Sequence, residues 1–483
     1  MKKKISLSDK GLSKDQIFSQ MNQAKEKDVK WKDGKVWCLV FSAGDEIADL
    51  IKEAYTMFFS ENGLNPNAFP SLRKFENEVV SMTASILGGD ENVTGTMTSG
   101  GTESILMAVK TAREHFIAKN PKAKKMEMII PRTAHPAFDK AGHYFGIKVI
   151  HCDLTDDFRV DVKKMEDLIN SNTILLVGSA PSYPHGVVDP IQKIAKLALE
   201  HNILLHVDAC VGGMLLPFAK KLDYDIPNFD FQVDGVTSMS VDLHKYGYAA
   251  KGASVVLYKN KELRRKQFFV YTEWPGGIYA SPSMGGTRPG GAIAAAWAVM
   301  NYLGEEGYLK IVKVVMETAK KIIKGVNAVD DIHIVSNPDA SILAIASNTL
   351  DVFVLGDEMA QYGWYMDRQQ EPPSLHLTIT HAHSKVADKF LEDLKESVKK
   401  TKKFTMSKLS DKVKVSLVKG AVKVLPEAMV SKLTAKSSKF LSGKGEVVPK
   451  RSAAMYGMMG SLPNKGDVNE MILDFMDNLY EQP

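Results

Sequence analysis

A lysine amine can bond to a carbonyl carbon, a carboxylate can hold a heterocyclic cation charged, and a glycine-rich helix start can hold an anion. This chain carries all three, in a fixed order. The anion site is Thr98-Ser99-Gly100-Gly101-Thr102-Glu103-Ser104, where two glycines open a helix and leave backbone N–H groups free, with the Ser99 and Thr102 hydroxyls beside them. A Gly-Gly turn is also an ordinary way to start a helix, and the spacing matches neither a dinucleotide fingerprint nor a P-loop. Asp208 follows in His206-Val207-Asp208-Ala209, at the C-terminal end of an apolar run. An acid there can ligate a metal, act as acid or base, serve as counter-ion to a protonated pyridine, or simply cap the next helix. Lys245 comes last, in Ser240-Val241-Asp242-Leu243-His244-Lys245-Tyr246-Gly247. Its amine must be partly desolvated to be neutral and nucleophilic, and His244 can donate to a phosphate. His135, in Thr133-Ala134-His135-Pro136, can stack on a planar ring or sit quietly near a helix cap. A single lysine is more often a surface charge, so the order carries the weight: anion turn, then acid, then lysine. That order suits pyridoxal phosphate, whose ring nitrogen needs a carboxylate partner. No nucleophile elbow and no zinc-binding His/Glu helix is present in the sequence.

These residues need a scaffold that brings strand ends together. Short apolar runs at Met128–Ile130, Thr173–Gly178, Ile203–Val207, Gly235–Met239 and Ser254–Tyr258 alternate with helix-length amphipathic segments such as Thr102–Ala118, Val162–Ser171 and Pro190–His201. Strands buried on both faces and alternating with helices predict a mostly parallel α/β sheet. The Gly/Pro-rich stretch Trp274–Gly291 precedes a long helix over Ala292–Asn327. Beyond it, Ser341–Ala346, Asp351–Leu355 and Leu375–Thr380 read as three strands, and Lys385–Lys399 as a helix, giving a smaller α+β domain. No internal repeat is visible.

Composition bounds the rest. The 483 residues are 44% hydrophobic and 25% charged, with net charge +5 and mean hydropathy −0.15. This is ordinary globular composition, and the charge is too mild to argue for nucleic acid. No apolar stretch reaches the roughly 20 residues of a membrane span, and no secretory h-region follows the basic start. Cys38, Cys152 and Cys210 form neither a disulfide framework nor a zinc pattern, which points to a reducing cytoplasm. Lys395–Arg451 is lysine-rich; the plain reading is a solvated face, and contact with anionic lipid is the alternative.

Taken with Pro181-Ser182-Tyr183-Pro184-His185-Gly186, Trp274-Pro275-Gly276-Gly277-Ile278-Tyr279 and Arg288-Pro289-Gly290-Gly291, the four elements resemble the sphingosine-1-phosphate lyase family. That family lies in the group II decarboxylase branch of the fold-type-I pyridoxal-phosphate enzymes. The similarity runs from about Gly34 to about Lys400 and resumes near Met455. The resemblance implies a segment 1–65, a large cofactor-binding domain 66–327 and a small C-terminal domain 328–483, assembled as a homodimer with shared active sites. Lys245 would hold the cofactor covalently, Asp208 would pair with its ring nitrogen and His135 would stack on the ring. Gly100, Gly101, Thr102 and His244 would hold its phosphate, joined by the loop Ser281–Gly286 of the partner chain. Tyr183, Lys251 and Tyr456 would line the substrate side. The implied reaction is retro-aldol cleavage of a phosphorylated sphingoid base to a long-chain aldehyde and phosphoethanolamine, with Lys251 or Tyr183 as base.

Three departures accompany the resemblance. Phe41 and Asn65 stand where the family has a tyrosine and a histidine on the substrate phosphate. Each lost hydrogen bond to a charged group costs roughly 1.5–3 kcal/mol, enough to weaken phosphate affinity by about tenfold or more. Residues 404–451 form an insertion within the basic segment. The membrane anchor of the eukaryotic members has no counterpart in this sequence, so an unanchored cytoplasmic protein is expected, with peripheral membrane association or export as an effector left open. Two rival readings remain: an amino-acid decarboxylase on the same scaffold, and a cofactor- or lipid-binding protein without turnover.

Overall fold

A computed structural model describes residues 6–407 and 465–480. Seven strands form the main sheet: β1 (Thr94–Thr98), β2 (Glu127–Pro131), β3 (Lys148–Cys152), β4 (Thr173–Ser179), β5 (Leu204–Asp208), β6 (Ser238–Val241) and β7 (Ser254–Tyr258). Their order is β1-β7-β6-β5-β4-β2-β3. Only β7 runs against its neighbours; the other pairings are parallel. The apolar runs predict this because both faces are covered. Ile129, Leu176, Leu205 and Val207 enter one core, while Met128, Ile130, Leu175 and Val177 enter another on the opposite face. The sixth strand begins later than the sequence suggests, because Gly235 takes a positive φ of 99° and turns the chain before Ser238.

The C-terminal ends of β2, β5 and β6 lie along one edge of this sheet, the edge where α/β proteins place ligands. The end of β1 joins them, because β1 is antiparallel to the reversed β7. The helix Gly101–Lys119 leaves that edge directly after β1. The Gly/Pro-rich stretch contains an antiparallel hairpin, β8 (Phe269–Trp274) and β9 (Gly277–Ser281), with Phe269, Val270, Tyr271, Trp274 and Ile278 exposed. The long helix is present as Gly290–Asn327, broken at Gly304.

The smaller sheet has the order β10 (His333–Ile334), β11 (Ile342–Ala346), β13 (Pro373–Thr378) and β12 (Asp367–Gln370), all antiparallel. The strand expected at Asp351–Leu355 is instead the helix Val352–Gln361. Asp351 caps it by accepting from the Phe353 and Val354 amides at 3.0 and 3.3 Å, and Val352, Leu355 and Met359 are buried at helical spacing. A four-residue apolar run does not distinguish the two cases.

Residues 36–41 lace the beginning of the chain onto this smaller sheet. The Trp37 amide donates to the Tyr365 carbonyl at 2.9 Å, and its carbonyl accepts from the Thr378 amide at 2.7 Å. The indole stacks on His383 at 4.1 Å and packs against Trp364 and Phe390. Trp37 is fully buried. Trp37→Ala is therefore expected to lower the unfolding free energy by about 3–5 kcal/mol, read as a fall in the urea midpoint. An unchanged midpoint would mean that this segment is not part of the core it touches.

Candidate active site

Asp208 is the last residue of β5, and its carboxylate is buried. Oδ1 accepts from the Cys210 amide at 3.1 Å and from the Ser240 hydroxyl at 3.0 Å. Behind Ser240 lies His206, whose Nε2 is 3.2 Å from the Ser240 oxygen and whose Nδ1 is 2.9 Å from that of Ser238. Because Ser240 donates to Asp208, the consistent tautomer has His206 Nε2–H donating to Ser240 and Ser238 donating to Nδ1. Burial lowers the His206 pKa to about 4, so the ring is neutral. Burial also works to raise Asp208, but hydrogen bonds from Cys210 outweigh it, and the neutral His206 supports the carboxylate through Ser240. The carboxylate is held below its ordinary pKa, ionised within the protein.

Lys245 lies four residues past the end of β6, on a turn closed by its own amide donating to the Asp242 carbonyl at 3.2 Å. The turn is anchored on both sides. Tyr246 OH donates to the Ile379 carbonyl at 2.8 Å, and Tyr308 OH donates to the Gly247 carbonyl at 2.9 Å. Lys245 Nζ is 2.9 Å from Asp242 Oδ2. The glycine turn borders the same space: a side chain at Gly100 would begin 3.5 Å from the His244 ring, and one at Gly101 would collide with Cys210 and Asp242 at 2.8 Å. Glu103 braces this turn, accepting from the Ser99 amide at 2.6 Å, the Ser99 hydroxyl at 2.7 Å and the Met284 amide at 2.8 Å. The loop carrying Gly286 thus reaches the glycine turn of its own chain through Met284. His135 presents an exposed ring, with Nδ1 accepting from the Ala137 amide at 3.1 Å.

The substrate-side residues divide. Lys251 places Nζ 3.2 Å from the Leu39 carbonyl and 3.3 Å from that of His244, with the Phe41 ring 5.4 Å away. Phe41 meets Tyr246 edge-on at 5.0 Å. Although much of Lys251 is exposed, burial of its ammonium and then the charge of Lys245 lower its pKa. Tyr183 stacks on His376 at 4.1 Å and donates to Asp367 Oδ2 at 3.1 Å. Burial first, and the Asp367 charge second, raise its pKa, so the phenol keeps its proton. Asn65 is exposed, and its side-chain oxygen accepts from the Asn67 and Ala68 amides at 3.0 and 3.3 Å, so it shapes a local turn. Its neighbour Leu64 lies 3.8 Å from where a Gly286 side chain would begin. Tyr456 and the part of the basic segment beyond residue 407, with its alternative of lipid contact, lie outside the described residues.

Sequence reasoning passes over Ser240, Asp242, Glu103 and Asp367. The first three stand inside the strings it singles out, so their positions were readable though not their partners. Asp367 carries no local signal.

A pyridine ring with an aldehyde and a phosphate fits this arrangement. The ionised acid, the lysine amine and the anion turn are distinct groups on one edge of the sheet. Two buried polar atoms of the cluster, Asp242 Oδ1 and His244 Nδ1, have no hydrogen-bond partner among the described residues. The profile of the pyridoxal-dependent decarboxylase conserved domain matches residues 1–346. Sphingosine-1-phosphate lyase of Arabidopsis thaliana is 42% identical, over 96% of this chain and 79% of its own. The chain belongs to the sphingosine-1-phosphate lyase family. A solved sphingosine-1-phosphate lyase of Burkholderia pseudomallei superposes with a TM-score of 0.80 at 36% identity, covering 85% of this chain and 96% of its own. An L-aspartate/L-glutamate decarboxylase of Pyrococcus horikoshii is less similar, at 32% over 80% of this chain and 98% of its own. Fold, cofactor class and family thus agree with the lyase resemblance seen in the sequence. When bound, pyridoxal 5′-phosphate would supply an electron sink for a carbanion.

Buried imidazoles set the acid limit of this lyase-family fold. Burial lowers His185, His206 and His383 to about 4, and His376 to about 3, from an ordinary 6.5. Each takes up a proton on unfolding between its ordinary value and its lowered one, so stability falls as pH drops through that window. Asp189 opposes them, since burial raises it to about 6 and the native state holds its proton. Burial raises Asp230 and Asp339 in the same sense as Asp189, but it also lowers His115, His244 and His381, so seven imidazoles oppose three carboxyls. The urea midpoint is expected to decline steadily from pH 6.5 to about 4, and a flat profile would mean that the native imidazoles are charged.

Proposed function

We propose that this chain is a pyridoxal-phosphate-dependent carbon–carbon lyase that cleaves sphingosine 1-phosphate, or a related phosphorylated sphingoid base, to a long-chain aldehyde and phosphoethanolamine. The observation that carries the reading is the lysine–acid pair at adjacent strand ends: Lys245 after β6 and the relay-backed Asp208 closing β5. Lys245 binds the cofactor, Asp208 holds its ring nitrogen, His135 covers its face, and Gly100, Gly101, Thr102 and His244 take its phosphate.

Of the two candidate bases, Lys251 fits better. Its lowered pKa brings a free amine closer to neutrality, while Tyr183 is held protonated by Asp367. Tyr183 then serves as an orienting group, its oxygen accepting from a substrate hydroxyl. A second copy of the chain completes the site in this reading: the Ser281–Gly286 loop, which meets the glycine turn of its own chain at Met284 and Glu103, also reaches the phosphate held by the partner. The exposed apolar hairpin Phe269–Ser281 supports this, because a monomer seldom leaves such a face to water. The three cysteines are free and buried, in keeping with a cytoplasmic setting. Among the described residues no helix is long and apolar enough to cross a membrane.

Phe41 supplies Lys251 with an aromatic seat where the family's tyrosine would supply a hydroxyl. Phosphate recognition is correspondingly weaker in this reading. Mass-spectrometric detection of aldehyde and phosphoethanolamine from sphingosine 1-phosphate tests the function. Lys245→Ala is expected to abolish turnover and the visible absorbance of the bound cofactor while the circular dichroism spectrum is retained; a variant that still releases aldehyde would refute the assignment. The double variant Phe41→Tyr, Asn65→His is expected to lower KM for sphingosine 1-phosphate by about tenfold. If kcat and KM both stay put, these positions do not meet the substrate phosphate.

A further inference from the structure

One buried carboxylate in the cluster has no role in the reaction as described. Asp242 is 3% exposed, with Oδ2 2.9 Å from Lys245 Nζ and 3.6 Å from His244 Nε2, while Oδ1 has no hydrogen-bond partner among the described residues. The glycine at 101 makes room for it: a Cβ there would lie 2.8 and 2.9 Å from the two carboxylate oxygens. A buried carboxylate this poorly hydrogen-bonded is costly unless a cation stays close. Asp242 and Lys245 belong to one turn, so the lysine can reach the carboxylate by rotating its own side chain.

We propose that Asp242 is the docking point for Lys245 during turnover, a positioning residue that receives the lysine whenever substrate amine displaces it from the cofactor. The inference rests on the pyridoxal reading, because displacement presupposes that Lys245 is bonded there. The exchange is balanced. The substrate amine enters as an ammonium, its nitrogen forms the new carbon–nitrogen bond as the Lys245 bond breaks, and two protons pass from the substrate nitrogen to that of Lys245, so the linkage carries one proton before and after the exchange. Lys245 leaves as an ammonium, and Asp242 holds it within reach for the return exchange that frees the product amine. No other reactant is consumed.

The surroundings of Lys245 support this. Burial pulls its ammonium down, but the Asp242 charge, with a smaller share from Asp208, raises the pKa above its ordinary value. Cys210 also faces the amine, yet burial keeps that thiol protonated and uncharged. His244 is pushed down by burial, and Lys251, lowered in part by Lys245 itself, is the opposing cation. Asp242 is thus the charge that decides the state of the freed lysine.

The test uses the full chain. Borohydride treatment of the cofactor-loaded protein first shows whether Lys245 carries the adduct; its absence would sink the cofactor reading by itself. From a separate, unreduced sample the cofactor is removed by dialysis against hydroxylamine, and that protein is acetylated with acetic anhydride over an alkaline pH series. Labelling of the Lys245 peptide is followed by mass spectrometry, with Lys310 as internal control. Asp242→Asn is expected to move the Lys245 midpoint down by about 1–3 pH units and leave Lys310 unchanged. Asp242→Glu keeps the charge and is expected to stay near wild type, although asparagine is the closer match in shape; Asp242→Ala replaces Asn if that variant does not fold. Equal midpoints in the wild type and the uncharged variant, or a Glu variant that shifts as far as Asn, would overturn the proposal.

Discussion

A carboxylate that stays ionised away from water is the constraint on which this architecture turns. Desolvation alone would protonate Asp208, and a protonated acid cannot hold a neighbouring ring nitrogen positive. The protein answers with oriented donors: the Cys210 amide, the Ser240 hydroxyl and, behind it, a neutral His206 pinned at both nitrogens. That relay needs β5 and β6 side by side in register, which aligns His206 with Ser238 and Asp208 with Ser240. The parallel sheet is therefore part of the electrostatics and not merely a support.

Charge is handled differently a few ångströms away. Around Lys245 and Lys251, two ammonium groups share a small region with one carboxylate, Asp242, and the carbonyls of Leu39 and His244. The carboxylate favours the protonated state of one lysine, while burial and that lysine's charge disfavour it in the other. Two identical side chains thereby acquire different proton affinities within one small region.

Much of this was legible in the chain before any coordinates. Apolar runs ending in Asp208 and just before Lys245 mark strand ends, and the glycine pair at 100 and 101 marks a helix start, so the three parts of the cofactor site could be read in order. The helix at Val352–Gln361 was not legible, because its apolar start suits a strand equally well and the deciding hydrogen bonds come from Asp351. Tyr183 was visible as a candidate base; its pairing with Asp367 was not. The carboxylate that keeps it protonated is 184 residues away and belongs to the other sheet. Likewise Asp242 stands in plain view three residues before Lys245, but only the missing side chain at Gly101 reveals why a second acid fits.

The lacing of residues 36–41 has a consequence for how the molecule comes into being. This segment hydrogen-bonds at Trp37 to Tyr365 and Thr378, and through Leu39 it supports Lys251. As the chain leaves the ribosome, its early stretch must wait for more than three hundred further residues before these partners emerge. The wall beside Lys245 and Lys251 is consequently closed late in synthesis, after the main sheet has been made, and a prematurely ended chain would carry that cluster with one side open.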